Sequence, residues 1–587
     1  MEILLPVRHA VDFCFPALLF HFSVFFYDSM AYSTENEAMK TAQTPLTEAT
    51  AATDTLEHEQ EQELPPKREY PSGIKLGIVV FSLCLSLFLC GLDQTIITTA
   101  VPIITNEFKA IEDVGWYTTA YLLTTSTFQI AYGKLYTTFS IKTVLLAALA
   151  IFELGSIICA AAPNSNTLIA GRAIAGLGAA GIFPGSTLVL VHSAPMERRP
   201  ALLGITTGMF GIASLCGPFI GGAFADGTTW RWCFIINIPL GVVTAVILTL
   251  FVTTPVDPAY AKWSFKDKLG FARVPEILIL VTALICLVLG LQWGGAVYPW
   301  SNGRIIALLS VFAVLTVAFT AIQVFLPNSR TVPTTIIQNR NIWFAAIFAM
   351  CSSGAMFIAV TYLPIYFQAI KNASALSSGI MVMPLILGFL IMSIISGMLT
   401  NITGYYNPSF FLCTVLASIG AGLTSTFGVN TPQSQWIGYQ ALLGFGIGFG
   451  LQQPIVCAQH VLSEPDVPFG VALINMMQML GGAIFVAVAQ NIFLNHLAEG
   501  VGNALPGYDT NGVLKGGLTD FKNLFTESQI PKVIPVYAQV LNRVFWIAAG
   551  LCAATLIGAV GVQWRSMKAK EKHEQGQDSV EGAAAEK

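Results

Sequence analysis

Three ionisable side chains, Asp93, Glu153 and Arg172, stand inside runs of otherwise apolar sequence. On insertion scales a charge at the centre of a membrane-crossing helix costs roughly 2.5–3.5 kcal/mol, so each needs a reason to be there. A carboxylate whose proton affinity changes as an arginine approaches or withdraws can load a proton on one side of a membrane and release it on the other. The alternative for Asp93 and Arg172 is a permanent ion pair that fixes helix packing. A structural role is likewise the alternative for Glu153. A second constellation carries no charge. Tyr121, Thr125 and Gln129 recur every four residues on one helical face, Asn475 and Gln478 lie three apart, and Gln452-Gln453-Pro454 closes a glycine-rich helix. Uncharged polar groups among Phe, Met and Trp suit an amphipathic small molecule, with apolar lining for affinity and a few polar groups for orientation. Interhelical hydrogen bonds would use the same residues.

A third constellation acts through backbone shape. The run Gly208–Gly222, GMFGIASLCGPFIGG, holds five glycines and one proline. Gly204/Gly208 and Gly217/Gly221 are pairs four apart, each a notch where another helix can approach closely. Pro218 removes a backbone donor, which a bilayer tolerates only where neighbouring groups compensate.

The elements that must position these residues follow from composition. Of 587 residues 54% are hydrophobic and 11% charged, against about 25% charged in soluble domains. Apolar runs of about twenty residues recur almost throughout, which predicts an all-α polytopic membrane protein. The expected fourteen spans are 76–97, 115–135, 143–162, 167–191, 201–223, 232–253, 274–293, 304–326, 343–367, 378–399, 408–428, 435–457, 468–494 and 544–563. The segment 495–543 reads as an exposed outer loop because of its polar residues and its Pro506-Gly507 and Gly516-Gly517 breakers. Lys and Arg gather on the side of Lys134, Lys142, Arg198 and Arg199, so both termini are expected in the cytoplasm. Trp230, Trp232, Trp293 and Trp300 fall at outer helix ends, as belt residues should. Along the first span Asp93 lies about 25 Å from the inner edge, and Arg172 lies about 8 Å from the outer one. In a core about 30 Å thick these depths allow the two to face each other.

An internal repeat organises the spans. Gly133-x-Leu135 recurs as Gly397-x-Leu399, Arg172-x-x-x-Gly176-x-Gly178 as Gln440-x-x-x-Gly444-x-Gly446, and Gly221-Gly222 as Gly481-Gly482, at offsets of 264, 268 and 260. This predicts two homologous six-helix halves, 73–255 and 331–565, with an inserted pair of helices in the linker 256–330. Residues 1–72 and 566–587 read as cytoplasmic tails. Within the first tail, 1–29 fits neither a span nor a signal peptide well, and an initiator at Met30 accounts for it as readily. Eleven scattered cysteines without a C-x-x-C pair predict neither disulfides nor a zinc site.

With these residues in view the chain resembles the fourteen-span drug:proton antiporters of the major facilitator superfamily, especially fungal toxin and multidrug efflux pumps. Leu92-Asp93-x-Thr95-Ile96-Ile97 with Pro102 looks like the first-helix motif. Leu168-x-x-x-Arg172-x-x-x-Gly176-x-Gly178 looks like the fourth-helix motif, whose Arg the family associates with proton transfer. Gly217-Pro218-x-x-Gly221-Gly222 matches the core of the fifth-helix antiporter motif, with Ala213 where its first glycine is usual. Trp230-Arg231-Trp232-x-Phe234-x-x-Asn237-x-Pro239-x-Gly241 opens the sixth span as in that family. The loop after span 2 departs from it. Thr137 stands where the family has an acid, and only Lys142 remains of its paired bases.

The resemblance implies the major facilitator fold and proton-coupled efflux of a small amphipathic or apolar metabolite, toxin or drug. Asp93, Arg172 and Glu153 are the expected proton-coupling residues. The expected substrate-binding residues are Tyr121, Thr125, Gln129, Gln452, Gln453, Asn475 and Gln478. The alternatives are an importer on the same scaffold, such as a siderophore-iron symporter, and a non-transporting sensor. The expected partners are the small-molecule substrate, protons and the lipid bilayer, and the protein is expected to act as a monomer, most readily in the plasma membrane, with a vacuolar or vesicle membrane as the alternative. No phosphate loop is present, which speaks against an ATP-driven pump. The net charge of -4 speaks against nucleic acid. No nucleophile elbow or metal-ligand cluster is visible, so neither enzymatic activity, nor a metal, nor a cofactor is expected. Asn372-Ala373-Ser374 is a glycosylation sequon on an expected outer turn.

Overall fold

The computed structural model describes residues 73–194, 199–252, 274–295, 298–325, 334–463, 466–505, 525–526 and 528–566. The tails and the middle of the long loop lie outside these residues, as do the side chains of Thr137 and Gly204's surroundings.

Among the described residues fourteen long helices follow one another. They are α1 (Ile74–Phe108), α2 (Val114–Thr138), α3 (Ile141–Ala160), α4 (Ser165–Ser193), α5 (Arg199–Gly227), α6 (Trp232–Ile235, continuing as Asn237–Phe251) and α7 (Val274–Trp293). The rest are α8 (Gly303–Phe325), α9 (Arg340–Ala369), α10 (Ala375–Thr403), α11 (Asn407–Thr424), α12 (Gln433–Gly450, then Gln453–Val461), α13 (Val467–Ala504) and α14 (Ile530–Gly561). Among the described residues thirteen helices are long and apolar enough to cross a membrane. The one that falls short is α2. Its 25 residues give about 37 Å of helix, ample for a crossing, but seven threonines and a serine with four tyrosines and a glutamine lower its hydropathy. Protein rather than lipid surrounds those polar groups, since α2 packs on α4, α7 and α13.

The two halves repeat one packing scheme. α1 packs on α5, and α4 on both α2 and α3; in the second half α9 packs on α13, and α12 on both α10 and α11. Glycines at equivalent positions make these contacts. A Cβ on Gly176 would lie 2.3 Å from the Tyr121 carbonyl oxygen, and one on its counterpart Gly444 would lie 2.1 Å from that of Leu385. Gly221 against Ile96 and Gly481 against Met350 match in the same way, each with a carbonyl oxygen 2.1 Å from the hypothetical Cβ. The halves meet crosswise, α2 on α13 and α5 on α10. The inserted pair α7 and α8 forms a hairpin whose first helix lies on α2 and α13.

Several expectations need correction. The outer loop expected at 495–543 is shorter, because α13 runs on to Ala504 and α14 begins at Ile530. Leu497 and Val501 on one helix, and Val533, Tyr537 and Leu541 on the other, are fully buried at helical spacing. That stripe outweighs the polar residues between its members, and Pro531 costs little because the first helical turn has free N–H groups anyway. Trp230 is 1% exposed rather than a belt residue, because its indole donates to Glu107 (2.6 Å) inside a cluster with Phe108 and Phe234. Among the described residues the notch expected at Gly208 packs against nothing within 4 Å, and the same holds for Gly133 and Gly397. The ten described cysteines are all unpaired.

Candidate functional site

Two glycines one and one-and-a-half turns beyond Arg172 place its side chain. Gly176 lets α4 touch α2 at Tyr121, and Gly178 lets it touch α3, where a Cβ would lie 2.4 Å from the Phe152 nitrogen. So seated, Arg172 reaches α1. Its Nη1 donates to Asp93 Oδ2 at 2.7 Å, with the two side chains 1% and 0% exposed. Nε donates to the Tyr117 carbonyl (3.0 Å), and the guanidinium lies 4.4 Å from the centre of the Tyr121 ring. The second carboxylate oxygen of Asp93 accepts from the Asn237 amide on α6 at 3.1 Å, and the same amide donates to Ser156 on α3 at 3.2 Å. Helices α4 and α6 thus bond the carboxylate directly, and α2 and α3 bond the two side chains that do so. A buried pair broken on one side leaves an uncompensated charge, so this arrangement is costly to disturb.

Asn237 and Ser156 were missed as site residues by sequence reasoning. Asn237 stood in a quoted motif, but nothing local marks which of its residues turns inward. Glu153 belongs to the same neighbourhood without joining the pair. Neither of its carboxyl oxygens has a hydrogen-bond partner, and they abut Gly241 of α6, where a Cβ would fall 1.8 Å away.

The uncharged constellation gathers around a cavity of about 90 Å3 that is partly open to solvent. Tyr121, Thr125, Gln129, Gln452, Asn475 and Gln478 all line it, and Cys90, Gln94, Phe183, Phe210 and Met479 are among the other residues of the wall. Gln453 does not. It turns away to α10, donating to Ser396 (2.7 Å) and accepting from Thr400 (3.2 Å), for it opens the second segment of α12 while Gln452 lies in the break before it. Thr125 is committed as well, its hydroxyl donating to the carbonyls of Tyr121 and Gly176. Gln129 presents a buried amide oxygen without a partner. Among the described residues no charged side chain lines the cavity, and both halves contribute to it. Tyr121 belongs to both constellations, one ring serving as cavity wall and as platform for Arg172.

The glycine run forms a contact between halves at the end of the molecule that holds Trp230. Gly217 and Gly221 bring α5 onto Thr95 and Ile96 of α1, while Gly222 faces Leu376 and Ala375 of α10. The Pro218 carbonyl, which the helix uses normally, also accepts from Thr99 (3.2 Å). Asp226 at the end of α5 accepts from the first two N–H groups of α10, Ala375 at 3.1 Å and Leu376 at 2.8 Å. A carboxylate there satisfies orphan donors and complements the helix dipole. At the opposite end, marked by Lys142, the glycines 133, 208 and 397 face open space, and Lys134 lies over the Phe469 ring across the halves, 5.6 Å from its centre. Asn372 is exposed in the short turn between α9 and α10 with a φ of 58°, and Ser374 of the sequon caps α10 through the Ser377 N–H.

Residues 83–486 match the model of the Major Facilitator Superfamily. The chain belongs to that superfamily. It is 80% identical over 516 residues to the MFS thioclapurine efflux transporter tcpA of Claviceps purpurea, covering 88% of this chain and 95% of that one. It is 48% identical to the MFS-type efflux pump MFS1 of Arthroderma benhamiae (85% and 93% covered) and 46% identical to the efflux pump aflT of Aspergillus parasiticus (85% and 97% covered). Among solved structures, a bacterial homolog of the human lysosomal transporter Spinster superposes with a TM-score of 0.58 at 13% identity, covering 84% of this chain and 98% of that one, which establishes the shared fold. The protein is a multi-pass membrane transporter of the fungal efflux type of this superfamily.

Proposed function

We propose that the protein exports a small, uncharged, amphipathic metabolite or toxin in exchange for protons, by alternating access of its two six-helix halves. The observation that carries this reading is Tyr121, which backs the Arg172–Asp93 pair on one side and the cavity on the other. A substrate that displaces this ring disturbs the arginine that holds the carboxylate, so occupancy of one site changes the other. The relatives named as efflux pumps support the direction, and the thioclapurine in one of their names supplies a first substrate to try. In this reading both termini face the cytoplasm of a monomer in the plasma membrane, with the Trp230 end and an Asn372 open to glycosylation outside. With a potential of about 100 mV and one pH unit, one proton supports a substrate gradient of roughly several hundredfold.

Purified protein in liposomes tests it with thioclapurine and an imposed pH gradient. Thioclapurine should move against the proton flow. Asp93→Asn should abolish accumulation driven by the gradient while keeping exchange of labelled for unlabelled compound. Movement with the protons would make the protein an importer, and accumulation retained in both Asp93→Asn and Arg172→Gln would remove the proton role. Binding without any movement would favour a sensor.

A further inference from the structure

A continuous set of contacts joins the interface between the halves to Arg172. Gln490 on α13, in the second half, is held by the Tyr362 hydroxyl, which donates to its amide oxygen at 2.9 Å. Its amide nitrogen donates across the interface to the carbonyls of Ile111 (3.2 Å) and Glu112 (3.3 Å), in the turn between α1 and α2. Gly115 makes room for it, since a Cβ there would lie 2.9 Å from the Gln490 Cβ. The next residue of that turn is Asp113, whose carboxylate accepts from the Ser165 hydroxyl at the start of α4. The serine has one proton and gives it to Asp113, so the Tyr117 hydroxyl is the donor in its 2.9 Å bond with Ser165. Tyr117, fully buried, is therefore pinned at its ring end, and its carbonyl is the oxygen that receives Arg172 Nε at 3.0 Å.

We propose that Gln490, through Asp113, Ser165 and Tyr117, positions Arg172 on Asp93, so that parting of the halves at the Trp230 end loosens the ion pair. This rests on the proton-coupling reading above and supplies its missing link, a physical connection between the gate and the proton site. None of these four residues touches the carboxylate itself, so they are positioning residues. Second-half Gln440, at the place of Arg172 in the repeat, likewise donates to the carbonyl of Met381 (3.1 Å), the counterpart of Tyr117, but brings no charge there. The device therefore acts in the first half alone. The titratable groups around Asp93 are Arg172 and Cys159 on α4, Glu153 on α3, Tyr121 on α2, Cys233 on α6 and Cys90 on its own helix.

The test needs no substrate. Spin labels on Pro163→Cys and Asn430→Cys, exposed positions at the Trp230 end of opposite halves, report its opening as a distance distribution between pH 4 and pH 9. The unmodified sequence with these labels should open as the pH falls, and Asp93→Asn should remove the pH dependence. Gln490→Leu, Ser165→Ala and Tyr117→Phe should each move the midpoint upward by about one pH unit, a tenfold change in proton activity, while Ser165→Thr should restore it. Midpoints unchanged in all three, with Asp93→Asn still insensitive to pH, would overturn the positioning role and leave the proton site standing. A pH dependence that survives in Asp93→Asn, or a Trp230 end that stays closed at every pH, would overturn both.

Discussion

Asp93 accepts from both sides, Arg172 on one oxygen and Asn237 on the other, and the two acceptances differ in energy. Removing the arginine strands a buried carboxylate with one neutral donor, for which losses of about 3–5 kcal/mol are typical. Removing the charge of the aspartate leaves a buried arginine that still bonds the Tyr117 carbonyl and lies on the Tyr121 ring. Arg172→Gln should therefore lower the melting temperature of detergent-solubilised protein more than Asp93→Asn, and the double variant should recover part of the loss. A double variant as unstable as the sum of both would mean that the pair contributes nothing as a pair. The existence of these charges was legible in the sequence, because an ionisable residue in an apolar run is conspicuous by itself. Their partners were not, since Asn237 lies 144 positions away and the chain between says nothing about which side of α6 turns inward. Gln452 and Gln453 make the same point. They are identical residues side by side, one on the cavity and one bound to α10, and the break in α12 between them separates their roles.

At the scale of elements, the glycines divide into those that seat a neighbour and those that do not. Gly221 carries a backbone oxygen of α1 where its side chain would begin, so Gly221→Val forces α5 away from α1 along the face that also carries Gly217. Gly208, in the same run, has open space, and alanine there also improves helix propensity by about 1 kcal/mol. Fluorescence-detected size-exclusion chromatography should show Gly221→Val reduced or aggregated and Gly208→Ala eluting as the parent protein. Equal behaviour of the two would refute this division. The motif around Pro218 was readable as small residues at helical spacing, but spacing alone marks Gly208 and Gly221 alike. The span that sequence hydropathy rates lowest, α2, touches the cavity, Arg172 and the opposite half together. Its polarity is the consequence of that position.

For the molecule as a whole, closure at the Trp230 end depends on few bonds between halves, and Asp226 supplies two of them. Asp226→Ala leaves the first N–H groups of α10 without their acceptor and should broaden the distance distribution between labels at 163 and 430 toward longer values at neutral pH. An unaltered distribution would show that the glycine contacts hold the end shut without it. Sequence alone determined the all-α membrane class, the order of the apolar helices, the glycine repeat between the halves and the identity of the buried charges. These properties are local or periodic, and hydropathy and spacing record them directly. The tertiary structure alone decided that Asn237 completes the site around Asp93, that Gln490 reaches the turn before α2, and that Gly222 and Asp226 close on α10. Such contacts join residues more than a hundred positions apart, and their geometry is set by how far each helix is rolled and shifted against its neighbours, which no single helix encodes.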